Sequence, residues 1–223
     1  MVRPAPDYRS LVKHPAIPAA ELWRGMRIGL LGGSFNPAHA GHHFISSLAL
    51  RKLKLDEVWW LVSPQNPLKS RNEMAPLAAR MARARKVAGH PRIRVLALEG
   101  RMGTRYTADT LEKLNALLPG TKFVWLMGAD AFLDLPRWEH WERIFYQAPV
   151  AVFGRPSYSL KVTAAKAAYR FAAGRVDEWD AASLLEEELP AWAFFRSTRH
   201  PASSTRIRLE YAARGRRWED GGV

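Results

Sequence analysis

The chain has 223 residues, 48% of them apolar and 25% charged, which is the make-up of a globular protein with one large domain or two small ones. Cysteine is absent, which excludes a disulfide scaffold, thiolate nucleophiles, iron–sulfur clusters and cysteine-ligated zinc. Lys and Arg number 34 against 21 for Asp and Glu, a formal net charge of +13, so an anionic partner is expected: nucleic acid, an acidic membrane or a phosphorylated small molecule.

Residues 1–25 carry Arg3, Arg9 and Lys13 with Asp7, Glu21 and four prolines, and have neither the apolar core nor the cleavage pattern of a signal peptide. They read as an extension ahead of the main domain, and the protein as cytoplasmic. From Met26 onward short apolar runs alternate with helical periods, the pattern of βαβ units and a parallel sheet. Strands are predicted at Arg27–Leu31, Val58–Val62, Ile93–Leu98, Phe123–Met127, Val150–Phe153 and Trp192–Phe195, and helices at about 42–54, 76–89, 107–118, 139–147 and 204–214. The fold class is therefore α/β, a doubly wound Rossmann-like parallel sheet of about six strands in a domain spanning 26–215, with 216–223 as a tail. No run approaches the length of about 18 residues that a membrane span needs. The stretch 158–189 breaks the rhythm and reads as a helical insertion before the last strand: Leu160–Ala173 is alanine-rich, Gly174 interrupts it, and Glu186–Glu188 closes a second helix as a solvated acidic face.

The first strand runs into Gly32-Gly33-Ser34-Phe35-Asn36-Pro37-Ala38-His39-Ala40-Gly41-His42, and a helix follows. A glycine pair at that turn lets backbone amides approach a phosphate, and the helix adds its positive end. Neither G-x-G-x-x-G nor G-x-x-x-x-G-K-[ST] occurs there. The polar groups are instead His39 and His42, one helical turn apart, able to face one side and donate to a single phosphate. Metal ligation is the rival reading, since His43 supplies a third imidazole, but no thiolate or nearby carboxylate completes a tetrahedral set.

Near the other end, Ser203-Ser204-Thr205-Arg206-Ile207-Arg208 opens the final helix. Hydroxyl residues suit an N-cap on structural grounds alone. Arginines in a first helical turn oppose the macrodipole unless an anion lies against the same end. Residues 196–217 hold seven arginines and one acid, Glu210; most of them read as a solvated basic face, with Arg208 the exception.

Taken together, GGSFNPAHAGH at 32–42 and SSTRIR at 203–208 resemble the nucleotidylyltransferase superfamily, whose members hold a nucleoside triphosphate between such a turn and such a helix start. Tyr106-Thr107-Ala108-Asp109-Thr110-Leu111, Leu126-Met127-Gly128-Ala129-Asp130 and Pro136-Arg137-Trp138-Glu139-His140-Trp141 narrow the resemblance to the bacterial nicotinate-nucleotide adenylyltransferases, over residues 26–212. The resemblance implies adenylyl transfer from ATP to nicotinate mononucleotide in NAD synthesis, giving deamido-NAD and pyrophosphate, with Mg2+ carried mainly by the ATP phosphates. It implies an ATP site of Gly32, Gly33, Ser34, Phe35, His39, His42, Ser203, Ser204, Thr205 and Arg208. His39, His42 and Arg208 would be catalytic, the histidines on the ATP phosphates with His42 the one for the α-phosphate, and Arg208 on the leaving pyrophosphate.

The same resemblance assigns the acceptor to Asn36, Lys69, Tyr106, Thr107, Gly128, Asp130 and Trp138: Lys69 on phosphate, Trp138 stacked on the nicotinate ring, Tyr106 and Thr107 on its carboxylate, Gly128 and Asp130 on ribose hydroxyls. Trp141 reads as core. Ser34 replaces a commoner threonine and keeps the hydroxyl; Asn36 stands where many relatives carry aspartate, which weakens any role given to that carboxylate. ATP and nicotinate mononucleotide are the partners expected, without nucleic acid or membrane, and a homo-oligomer is left open. Adenylyltransferases for nicotinamide mononucleotide or phosphopantetheine, and cytidylyltransferases, are the nearest alternatives. A nucleic-acid-binding module would use the charge directly but leaves the glycine–histidine turn without a purpose.

Overall fold

The computed structural model describes residues 20–64, 74–154, 159–196 and 204–219. Its strands are β1 (Arg27–Gly33), β2 (Glu57–Val62), β3 (Ile93–Leu96), β4 (Lys122–Gly128), β5 (Val150–Phe153), β6 (Arg175–Val176) and β7 (Trp192–Phe195). They form a seven-stranded sheet in the order β3-β2-β1-β4-β5-β7-β6, and every pairing is parallel. A parallel sheet is covered on both faces, so its strands are apolar without alternation. Glu-Val-Trp-Trp-Leu-Val of β2 and Trp-Ala-Phe-Phe of β7 are buried throughout.

The helices are α1 (Ala40–Lys52), α2 (Leu77–Ala88), α3 (Glu99–Met102), α4 (Thr107–Leu117), α5 (Ala129–Asp134), α6 (Trp141–Gln147), α7 (Ser159–Thr163), α8 (Lys166–Arg170) and α9 (Ser204–Ala212). Successive strand residues point to opposite faces, which divides the apolar interior into two cores. Ile28, Leu30, Trp59, Trp125 and Met127 pack with Leu111 and Leu114 of α4, Phe132 of α5 and Phe145 of α6. Leu31, Val58, Trp60, Val124 and Leu126 pack on the other face with Leu48 and Ala49 of α1 and Ala84 and Ala88 of α2. Trp141 lies in the first core, as the sequence leads one to expect. Trp23, ahead of the expected domain start at residue 26, is in that core as well, and the Gly25 amide donates to Gly120 O at 2.8 Å.

Chain order reverses direction between β1 and β4, whose carboxyl ends therefore open a crevice at the switch point of the sheet.

The expectation of about six strands falls one short, and the extra strand lies inside the supposed helical insertion. Arg175 and Val176 pair with Trp192 and Ala193, making β6 the sheet edge. A strand of two residues has no period to read in sequence. The alanine-rich stretch divides into α7, α8 and a 3-10 turn at Ala172–Gly174. A Cβ on Gly174 would lie 1.8 Å from the Pro190 carbonyl oxygen, so close backbone approach requires glycine there. The acidic run closes no second helix: a 3-10 segment at Glu178–Ser183 precedes it, and Glu186 takes ion pairs from Arg27 and Lys122.

Candidate active site

At the carboxyl end of β1, the two glycines have different tasks. A Cβ on Gly32 would meet the Trp125 ring at 2.3 Å, so Gly32 is small to admit that indole. Gly33 has only ordinary contacts at its Cβ position, 3.6 Å from the Phe35 ring. Phe35 then takes a left-handed φ of 46°, which disfavours any side chain and turns the backbone sharply, and the Asn36–Pro37 peptide is cis. Its ring is buried by stacking on Trp60, with centroids 5.1 Å apart.

The turn ends in a capping box built from two imidazoles. His39, the N-cap of α1, accepts at Nδ1 from the Gly41 amide at 3.1 Å, and His42 accepts at Nδ1 from the His39 amide at 3.2 Å. Ser and Glu fill these positions in the common form of the motif. Because each Nδ1 accepts from an N–H, the hydrogen of each neutral ring sits on Nε2, and both rings are fixed as Nε2–H donors. The ring centroids are 3.9 Å apart, and His42 also lies against Phe35 at 4.7 Å, so packing holds the orientation.

This turn forms one wall of a cavity of about 430 Å³ at the switch point. Gly32, Gly33, Ser34, Phe35, His39 and His42 line it from β1 and α1. Tyr106 and Thr107 line it from the start of α4, Gly128 and Asp130 from the β4–α5 junction, Trp138 from the loop before α6, and Ser204 and Thr205 from the start of α9. The first turns of three helices of nine residues or more, α1, α4 and α9, thus face one space. Amides without intrahelical partners and the positive ends of the helix dipoles make such a space a receptor for a polyanion.

Two residues expected in the site, Asn36 and Arg208, are not among those that line the cavity. Asn36 is 2% exposed, and its Oδ1 accepts from the Ala75 amide at 3.3 Å and from Trp218 Nε1 at 3.2 Å. Arg208 directs Nη1 to the Asn36 carbonyl at 2.7 Å and Nη2 to Thr205 Oγ1 at 3.4 Å, with Ser204 Oγ on the Pro37 carbonyl at 3.0 Å. The start of α9 is thereby pinned to the glycine–histidine turn although they are some 170 residues apart in sequence, as the separation of 172 between Arg208 and Asn36 records. Asn36 is thus a structural acceptor, a task a carboxylate could share. Lys69 and Ser203 lie outside the described residues.

Sequence reasoning missed Ser63, Glu99, Arg105, Trp125 and Arg137, all of which line the cavity. Arg105 and Arg137 adjoin the tyrosine and tryptophan already singled out, and Arg105 lies over the Tyr106 ring at 5.8 Å. Glu99 is 9% exposed, and burial pushes its carboxyl up to about 7. Arg80 was also missed: it sits on the buried face of α2 with Ala84 and Ala88, and its four backbone acceptors include Ser34 and Ser63 of the cavity wall. An arginine four and eight residues before buried alanines is the signal that could have found it.

Among known proteins, the family model described as cytidylyltransferase-like matches residues 30–210. A Methylorubrum extorquens protein named "Probable nicotinate-nucleotide adenylyltransferase" is 52% identical over 183 residues, 82% of this chain and 99% of that one. A Rhizobium johnstonii protein of the same name is 47% identical over 185 residues, 83% of this chain and 93% of its own. In fold, the chain is similar to the Plasmodium falciparum nicotinic acid mononucleotide adenylyltransferase complexed with NaAD, with a TM-score of 0.60 at 18% identity over 82% of this chain and 83% of that one. The same Plasmodium enzyme complexed with APC gives 0.59 at 17% identity, covering 87% and 88%.

Proposed function

This chain belongs to the nicotinate-nucleotide adenylyltransferases of the cytidylyltransferase-like family, and from that premise we propose how its cavity moves the adenylyl group of ATP to nicotinate mononucleotide. An oxygen of the acceptor phosphate bonds to the α-phosphorus as the bond to the β-phosphate oxygen breaks, yielding pyrophosphate and nicotinate adenine dinucleotide. The acceptor phosphate is already ionised near neutral pH, so no base has to remove a proton. Catalysis is then alignment of the two substrates and stabilisation of the charge that builds at the α-phosphate and the leaving group.

His39 and His42 supply Nε2–H donors to the α-phosphate, and Gly32, Gly33, Ser34 and Phe35 give it room and backbone amides. Ser204 and Thr205 at the start of α9, together with Ser203, which precedes them in sequence, receive the β- and γ-phosphates. Arg208 has five N–H donors, of which two are committed to Asn36 and Thr205, so the others can reach the same phosphates. Lys69 adds charge on the acceptor phosphate. Trp138 stacks on the nicotinate ring, the Tyr106 and Thr107 amides at the start of α4 take its carboxylate, and Gly128 and Asp130 bind ribose hydroxyls. A helix N-terminus favours a carboxylate over a neutral carboxamide, which gives the preference for nicotinate a physical cause.

The described residues contain no group of three or more His, Asp or Glu placed to hold a metal ion. A divalent cation, Mg2+ in this proposal, fits as a companion of the triphosphate, where it would neutralise phosphate charge. No helix among the described residues is long and apolar enough to cross a membrane, and a cytoplasmic location is part of the same proposal. The observation that carries the reading is the imidazole capping box opening, with the starts of α4 and α9, on one cavity. The test is the product: incubation with ATP and nicotinate mononucleotide should release pyrophosphate and the dinucleotide, identified by mass, and no dinucleotide would sink the proposal.

A further inference from the structure

Arg80 is 1% exposed, and no carboxylate among the described residues pairs with it. Its hydrogen bonds all go to backbone carbonyls: Nε to Ala75 at 2.9 Å, Nη1 to Ser34 at 2.7 Å and Ser63 at 2.8 Å, Nη2 to Pro64 at 2.9 Å. These belong to three separate stretches, the β1–α1 turn, the end of β2 and the approach to α2. A guanidinium cannot shed its charge by losing a proton at ordinary pH. Carbonyl dipoles satisfy its N–H groups but leave a buried positive charge without an opposing one among the described residues, an arrangement that is costly unless a ligand anion completes it. Burial accordingly pulls its proton affinity below the ordinary value.

Ser34 and Ser63 line the cavity while Arg80 does not, so the guanidinium lies behind the wall. In a trans peptide the carbonyl and the next amide point in opposite directions. With the Ser34 carbonyl drawn back to Arg80, the Phe35 N–H is aimed away from it, on the cavity side. Phe35 holds that orientation at a φ of 46°, which a free chain would relax.

Resting on the adenylyl-transfer reading, we propose that Arg80 is a positioning residue for the ATP phosphates: its four-carbonyl clamp fixes the Ser34–Phe35 peptide with its amide toward the cavity and sets a permanent positive charge behind it. The nicotinate ring of the acceptor, bound by the start of α4 and Trp138, is served by a different wall.

Arg80→Lys keeps the charge but cannot span four carbonyls with one ammonium. In a variant that melts cooperatively, the KM for ATP should rise about tenfold, with inhibition by inorganic pyrophosphate weakened in parallel and the KM for nicotinate mononucleotide within about twofold of the parent. An unchanged KM for ATP, or equal losses for both substrates, overturns the proposal. The unaltered protein gives a second measurement should the variant not fold: the buried Arg80 Nε–H resonance should shift on adding pyrophosphate and stay fixed on adding nicotinate mononucleotide. An unmoved resonance with pyrophosphate bound overturns the proposal too. If the unaltered protein turns over ATP and nicotinate mononucleotide, either failure falls on Arg80 alone; if it does not, the adenylyl-transfer reading is what fails.

Discussion

Glu99→Gln should stabilise the protein at alkaline pH and flatten its dependence of stability on pH. Desolvation alone raises the Glu99 carboxyl from an ordinary 4.5 to about 7. The folded state therefore holds this proton more tightly than the unfolded chain does. Between pH 4.5 and about 7 the folded form is still protonated where the unfolded form is not, so the free energy of unfolding falls as pH rises through that window, and the loss is complete above it. At 1.36 kcal/mol per tenfold change in proton affinity, the rise corresponds to at most about 3 kcal/mol. Glutamine has nearly the same shape and is always neutral, so it mimics the protonated acid. Urea unfolding followed by circular dichroism at about pH 5 and about pH 8 reads both slopes. The unaltered protein should lose about 2 to 3 kcal/mol more than the variant between the two conditions, and at the higher pH the variant should be the more stable. Parallel pH profiles for the two proteins would refute the reasoning.

Removing the imidazole of His42 takes away an Nε2–H donor and half of the capping box at once. His42→Ala should lower kcat by about a hundredfold or more, as loss of a transition-state hydrogen bond does, while the melting temperature drops only about 2–4 °C for a cap worth about 1 kcal/mol. Initial rates and a thermal melt on one preparation check both, and near-normal turnover contradicts the phosphate role. Gly32→Ala sets a Cβ 2.3 Å from the Trp125 ring and should cost about 1–3 kcal/mol in urea unfolding, with an unchanged midpoint counting against the packing argument. For Trp138→Ala the KM for nicotinate mononucleotide should rise about tenfold and that for ATP by less than about twofold, from initial rates with each substrate varied; equal changes would remove the ring-stacking role.

The sheet was legible because parallel strands are apolar from end to end: Val58–Val62, Val150–Phe153 and Trp192–Phe195 stand out in sequence and are strands in the fold. The edge strand was not, since Arg175–Val176 is two residues long and is held by pairing with β7 rather than by any local preference. The glycine–histidine turn could be read down to the helix that follows it. Its inner workings could not: that Gly32 serves the Trp125 ring, and that Asn36 faces Ala75 and Trp218, depend on residues remote in sequence. Trp218, in what reads as a tail, is tied to the turn by that contact. Arg80 and Glu99 were passed over for a shared reason. A charged side chain, whether on a predicted helix like Arg80 or between elements like Glu99, reads as solvated, and the packing reveals that one lies behind the cavity wall and the other in it.

The central claim, that the start of α4 and Trp138 select a mononucleotide bearing a ring carboxylate, is tested most directly by pyrophosphate release from ATP with nicotinate mononucleotide and with nicotinamide mononucleotide as acceptors. The nicotinate form should show the higher kcat/KM, by about tenfold or more, the worth of one charge-assisted interaction at a helix N-terminus. Comparable values for the two acceptors would contradict it.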